Sequence, residues 1–118
     1  SRKIAEYAFA VVKDKPALHI NFIMDVSPDC DCWGHNDVPL VADIGILAST
    51  DPVALDKACA DMVVDAPAAW HLREKEKGND LRGADKFRMA HGNTDWNAAL
   101  IHGEKIKLGS LSYKLIKI

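Results

Sequence analysis

Ile4, Tyr7, Ala8, Val11 and Val12 recur at the three- and four-residue spacing of a helical face, and Pro16 follows Lys13 and Lys15. The chain is therefore expected to open with an amphipathic helix over about residues 2–14. The period then changes. Residues 18–26, with His19-Ile20-Asn21-Phe22-Ile23-Met24 at their centre, mix alternation with continuous apolar character, as a strand covered on both faces does, and Ser27-Pro28 ends it. Residues 29–40 carry Gly34, Asn36-Asp37 and Pro39 and read as a loop of about a dozen residues, long enough to suspect function. Residues 43–49 return to strand character, with Gly45 thinning the packing or letting another group approach the backbone.

Thr50-Asp51-Pro52 is a helix start. Thr50 or Asp51 caps free amides and Pro52 suits the first turn, with an apolar stripe of Leu55, Cys59, Met62 and Val63 running on to about Asp65. Residues 68–77 admit a helix, although Lys75-Glu76-Lys77-Gly78-Asn79-Asp80 reads as solvated. Two short helices are expected over 85–91 and 94–105, split at Gly92-Asn93, the second with Trp96, Leu100 and Ile101 facing inward. Residues 108–118 alternate in part and suggest a final strand. The sum is a single α/β domain over residues 1–118, a mixed sheet of a few strands flanked by helices. The connection between the first two strands is too short for a crossover helix, which makes them antiparallel or separated neighbours.

Composition narrows the setting. A chain of 118 residues with 48% apolar content suffices for one core and buries about two thirds of its unfolded surface. With 15 basic residues against 17 acidic ones, a net charge of -2 and no long run of either sign, neither a nucleic-acid groove nor a polybasic membrane patch is expected. No apolar run approaches the roughly 20 residues of a membrane span. Three cysteines cannot all pair internally, and a Cys30–Cys32 disulfide closes a very small ring, so a reducing cytoplasm is the expected compartment. The start at Ser1 without a Met reads as a fragment or processed piece of a longer protein.

The candidate chemistry lies in the loop. Asp29-Cys30-Asp31-Cys32, followed by Trp33-Gly34-His35, packs two thiols, two carboxylates and an imidazole into seven residues. A loop written for shape alone uses Gly, Pro, Asn and Asp, whereas soft sulfur and nitrogen donors at close spacing suit a metal, a cluster or thiol redox chemistry. Binding requires the two sulfurs within about 4 Å of one another, given Zn–S bonds near 2.3 Å. Residues two apart in a straight strand are separated by about 7 Å, so the loop must turn, and Pro28 and Gly34 permit this. Two ligands do not complete a site; His35, Asp29, Asp31 and Asp37, or groups from another chain or domain, are the candidates to complete it. The plainer alternative is a loop that merely tolerates cysteine. Cys59, on a helical stripe, reads as a small hydrophobe, and Asp51 as a cap. Asp43 is open to function. His19 and His102 read as ordinary, His71 and His91 lie in segments open to either reading, and Trp33 is expected to roof the loop or fill an interface.

Two stretches, Asp25-Val26-Ser27-Pro28-Asp29-Cys30-Asp31-Cys32 and Val41-Ala42-Asp43-Ile44-Gly45-Ile46-Leu47-Ala48-Ser49-Thr50-Asp51-Pro52-Val53-Ala54-Leu55-Asp56-Lys57, resemble the C-terminal part of the domain of unknown function 362 family. The likeness runs from the first helix to the end. Many members carry a ferredoxin-like Cys-x-x-Cys-x-x-Cys-x-x-x-Cys-Pro segment for four-iron clusters, which these 118 residues lack. The resemblance implies a fold, an anaerobic or redox setting, possible electron transfer, and a place in the distal portion of a longer protein. Three function classes follow. The first is a redox-type protein holding an iron–sulfur cluster or transition metal on Cys30 and Cys32, with an upstream ferredoxin-like segment, a redox partner or a second copy beside it. The second is a non-catalytic binding or assembly module. The third is a metal-dependent hydrolase or isomerase using Asp29, Asp31 and Asp43 as oxygen donors.

Overall fold

A computed structural model describes residues 1–30, 32–75 and 77–118. Asp31, expected among the metal donors, and Glu76, in the stretch expected to be solvated, lie outside the described residues. The elements run α1 (Arg2–Val12), β1 (His19–Ile23), β2 (Gly45–Ser49), α2 (Pro52–Asp65), α3 (Trp70–Lys75), α4 (Lys86–Ala90) and α5 (Asn97–Lys105). This is the expected α/β class. Its sheet, among the described residues, comprises two strands, β1 beside β2, and they are antiparallel. Contacts group the chain into two compact units, one of Ser1–Asn21, Ile46–Ala60 and Asp95–Ile118, the other of Phe22–Gly45 and Asp61–Thr94.

In the first unit α1 packs on α5. The helix turns a different face inward from the one its large apolar residues suggest. Ile4, Tyr7 and Val11 are each about two thirds exposed or more, at 67%, 73% and 65%, while Ala5 is buried and Ala8, Phe9 and Val12 are half-buried. At Gly103 of α5 an added Cβ would stand 2.9 Å from Val53 Cγ2, too close for a real contact, and in ordinary contact with Leu108 Cδ2 at 3.6 Å and Ala5 Cβ at 3.9 Å, so the glycine serves the approach to Val53. His102 Nε2 also meets Glu6 Oε1 at 3.0 Å. Val53, Ala54, Leu55, Ala58 and Leu100 complete this unit's buried set, whereas Ile101, expected inward, is 53% exposed and Trp96 half-buried.

Asp51 caps α2 as expected: its Oδ1 accepts from Ala54 N at 2.9 Å. Its Oδ2 accepts from Ser110 N at 2.8 Å, tying down the segment after α5. Gly109 makes room for this, since a Cβ there would collide with the Asp51 carboxylate and stand 2.9 Å from Val53 Cβ. The final strand expected over 108–118 is absent among the described residues. Its amides are taken locally instead, Ser110 N by Asp51, Leu111 N by Glu104 Oε1 at 2.8 Å and Ser112 N by Ser110 Oγ at 3.1 Å, leaving none of the three free for a ladder.

In the second unit Ile23, Leu40, Val41, Val63, Ala68 and Leu81 are buried. Val41 forms an isolated antiparallel bridge with Ala68, and Ala69 N donates to Leu40 O at 2.8 Å. Lys86, at the start of α4, is fully buried. Its Nζ donates to Val64 O at 2.7 Å, Leu81 O at 2.9 Å and, more weakly, Ala84 O at 3.4 Å. Desolvation lowers its pKa, opposed by the charges of Asp65 and Asp80. Asp85 caps α4 by accepting from Arg88 N at 3.0 Å.

Candidate functional site

The loop of residues 24–44 joins β1 to β2, and its base is closed by hydrogen bonds. Ile44 N donates to Ile23 O and Leu40 N to Val26 O, both at 2.8 Å, and Asp25 N donates to Asp43 Oδ1 at 3.0 Å. Asp43 thus holds the base of the loop. Above it, Asn36 serves as an internal brace. Its Nδ2 donates to Ser27 Oγ at 2.9 Å and Asp29 O at 2.8 Å, while its Oδ1 accepts from Asp29 N at 3.1 Å and Asp37 N at 3.0 Å. An asparagine carries both donors and acceptors on one planar group, which is what a brace between two antiparallel legs requires. Asp37 Oδ1 accepts from Val38 N at 2.7 Å and shapes the exit.

The chain folds back between these legs, so that Trp33 N donates to Cys30 O at 2.8 Å. This turn brings the two thiols together: Cys32 Sγ donates to Cys30 Sγ at 2.8 Å, and Cys32 N stands 3.4 Å from Cys30 Sγ. Both cysteines are exposed. The Cys32 thiol is held above its ordinary range first by the hydrogen bond it gives Cys30, then by the charge of that neighbouring sulfur. Cys32 therefore keeps its proton at neutral pH, and a metal that binds its sulfur must displace it.

One residue of the site has no signal in the sequence. His91, the C-cap of α4, lies with Nε2 2.7 Å from Pro28 O and 3.2 Å from Asp29 Oδ1. A carbonyl oxygen has no proton to give, so Nε2 carries the hydrogen and donates it. The imidazole thereby clamps the residues just ahead of Cys30. Nothing in the spacing announces this, because the partners are 63 and 62 positions apart.

The expected donors thus divide. Cys30 and Cys32 converge; Asp29 faces His91; Asp37 and Asp43 accept from loop amides; His35 and Trp33 are exposed. Among the described residues no three His, Cys, Asp or Glu side chains are grouped to hold a metal ion. Cys59, in the first unit, is half-buried and accepts from Asn21 Nδ2 at 3.5 Å, with burial raising its thiol pKa. Among the described residues, no helix is long and apolar enough to cross a membrane.

A family model described as Domain of unknown function (DUF362) matches residues 1–61, a span that holds β1, the cysteine loop, β2 and most of α2. No curated protein and no solved structure matches the chain.

Proposed function

The chain belongs to the DUF362 family, a domain family of unknown function, and from that premise we propose that Cys30 and Cys32 bind a soft metal ion or an iron–sulfur cluster in a protein of redox type. The observation that carries this reading is the convergence of two exposed sulfurs at 2.8 Å on a loop braced from within by Asn36 and clamped by His91. Two thiolates supply half of a four-sulfur shell, so the fit is partial, and the remaining ligands come from outside the described donors. A bound cluster would supply one-electron transfer.

The residues of the chain have defined parts in this reading. Cys30 and Cys32 lose their protons and donate sulfur; Asn36 and His91 keep the loop from splaying; Asp29 holds the His91 ring. The protein acts in a reducing compartment such as the cytoplasm, where the pair stays available as thiols. A second reading, a binding module in which the loop is an interface element, is favoured by Trp33, which is 61% exposed next to Cys32.

Anaerobic purification, metal analysis and a visible spectrum distinguish these readings. Stoichiometric metal, with broad iron–sulfur absorbance where a cluster is held, is expected of the native chain, and its loss is expected on changing Cys30→Ser and Cys32→Ser together. Metal and colour that survive the double change overturn the assignment. A metal-free native chain favours the interface reading, and stoichiometric zinc or manganese that resists the double change points instead to oxygen donors and hydrolytic chemistry.

A further inference from the structure

The first unit contains a cavity of about 350 Å3 that the cysteine chemistry does not use. Its polar lining is Lys13, Lys15, Lys107, Asp14, His19 and Thr50, three lysines against one carboxylate. None of the three lysines forms an ion pair with an acidic side chain among the described residues. Lys15 Nζ donates to Val11 O at 2.9 Å, and Lys13 Nζ stands 5.7 Å from the Phe9 ring centroid. Phe9, Val12 and Leu108 supply an apolar side.

Lys107 is the most informative member. It follows α5 with φ +64, in the left-handed region, and closes the helix by a two-bond cap in which Lys107 N donates to Glu104 O at 3.0 Å and Leu108 N to Gly103 O at 2.9 Å. Glycine is the residue that position favours on conformational grounds. Lysine there adds a third basic residue to the cavity lining. Clustered like charges without acidic partners repel one another, and an anion relieves that repulsion while taking charge-assisted hydrogen bonds from the same groups.

We propose that this cavity binds a small organic anion, a phosphate monoester on an apolar body, with the phosphate among Lys13, Lys15, Lys107 and Thr50 and the body against Phe9, Val12 and Leu108. The volume lies within the range of small-molecule sites, where an apolar lining carries a few placed polar groups.

Phenyl phosphate, inorganic phosphate and phenol, titrated separately into the full chain and followed by amide shifts at residues 13, 50 and 107, form the test. Phenyl phosphate is expected to bind about tenfold or more tightly than either of the others, and to weaken as salt rises. Lys107→Gly relieves the backbone and removes the charge, so binding is expected to fall about tenfold while the melting temperature holds or rises. Lys13→Gln, at an exposed position, serves as the second variant and is expected to weaken binding in the same direction. Phenyl phosphate that binds no better than phenol, or binds both variants as well as it binds the native chain, overturns the proposal.

Discussion

Replacing Lys86 by Met leaves a side chain of similar length in the same space while removing an ammonium that three carbonyls hold. Two of its hydrogen bonds are short, and a bond to a charged group contributes about 1.5–3 kcal/mol. Two effects reduce the loss. Burying the ammonium has a desolvation cost, which the lowered pKa of Lys86 reflects and which Met does not incur. The carbonyls are also not orphaned, because Val64 O keeps Gly83 N at 2.9 Å and Leu81 O keeps Ala84 N at 3.1 Å. The net is expected to be a destabilisation of about 2 kcal/mol at neutral pH, and Lys86→Ala, which adds a cavity, should lose about 2 kcal/mol more. Urea unfolding at constant m-value measures both. The pH dependence has a definite sign. The native pKa of Lys86 lies below the unfolded one, so in the window between them the unfolded chain holds a proton that the native chain does not. The advantage of the native residue over Met is therefore smallest below that window and grows as pH rises through it towards the ordinary value of about 10.5. A Met variant as stable as the native chain at neutral pH would falsify the reasoning, showing that charge burial cancels the carbonyl cage.

Zinc or cobalt affinity at the cysteine pair should rise with pH by up to about tenfold per unit for each proton displaced, and go on rising past the usual thiol range because Cys30 holds the Cys32 proton on; a flat profile from pH 6 to 9 by competition titration counts against thiolate ligation. His91→Phe removes the donor to Pro28 O and the partner of Asp29, and hydrogen exchange at Trp33 N should quicken by about tenfold, the equivalent of about 1.4 kcal/mol; unchanged exchange would mean that the clamp does not order the loop. Gly109→Ala should cost about 2 kcal/mol or more by driving a Cβ into Asp51 and Val53, whereas Gly34→Ala, with nothing within 4 Å of its added Cβ, should be near neutral in the same urea assay. Equal effects at the two glycines would refute the close approach at Gly109.

What was legible in the sequence was local. Asp51-Pro52 announces the start of α2 because a cap acts on amides within one turn, whereas β1, expected to run on to Ser27-Pro28, ends at Ile23, just ahead of Asp25 in the left-handed region at φ +48. The inward face of α1 was not legible. That helix has a wide apolar arc, from Ile4, Tyr7 and Val11 on one side to Ala5, Phe9 and Val12 on the other, so its own periodicity marks the arc but not which part of it packs. The selection is made by tertiary packing, in which Ala5, Ala8, Phe9 and Val12 turn inward and Ile4, Tyr7 and Val11 turn out. The C-terminal segment misled for a related reason: alternation measures fitness for a ladder, but Asp51, Glu104 and Ser110 claim its amides first.

The same division runs through the candidate site. The turn that joins the sulfurs is written within a few residues by Cys30, Cys32 and the Asn36 brace, and composition alone located it. The clamp is written elsewhere. His91 ends a helix of only five residues, too short to persist by its own hydrogen bonds, since helix nucleation is costly until several turns have formed. What fixes that helix is Asp85 at its first amides and Lys86 sunk into carbonyls of Val64 and Leu81. Lysine is almost never fully buried unless partnered, and the partners of Lys86 are backbone atoms that no residue type encodes. The position of His91 over Pro28, and through it the order of the loop ahead of Cys30, thus rests on a buried ammonium whose carbonyl partners no sequence pattern announces.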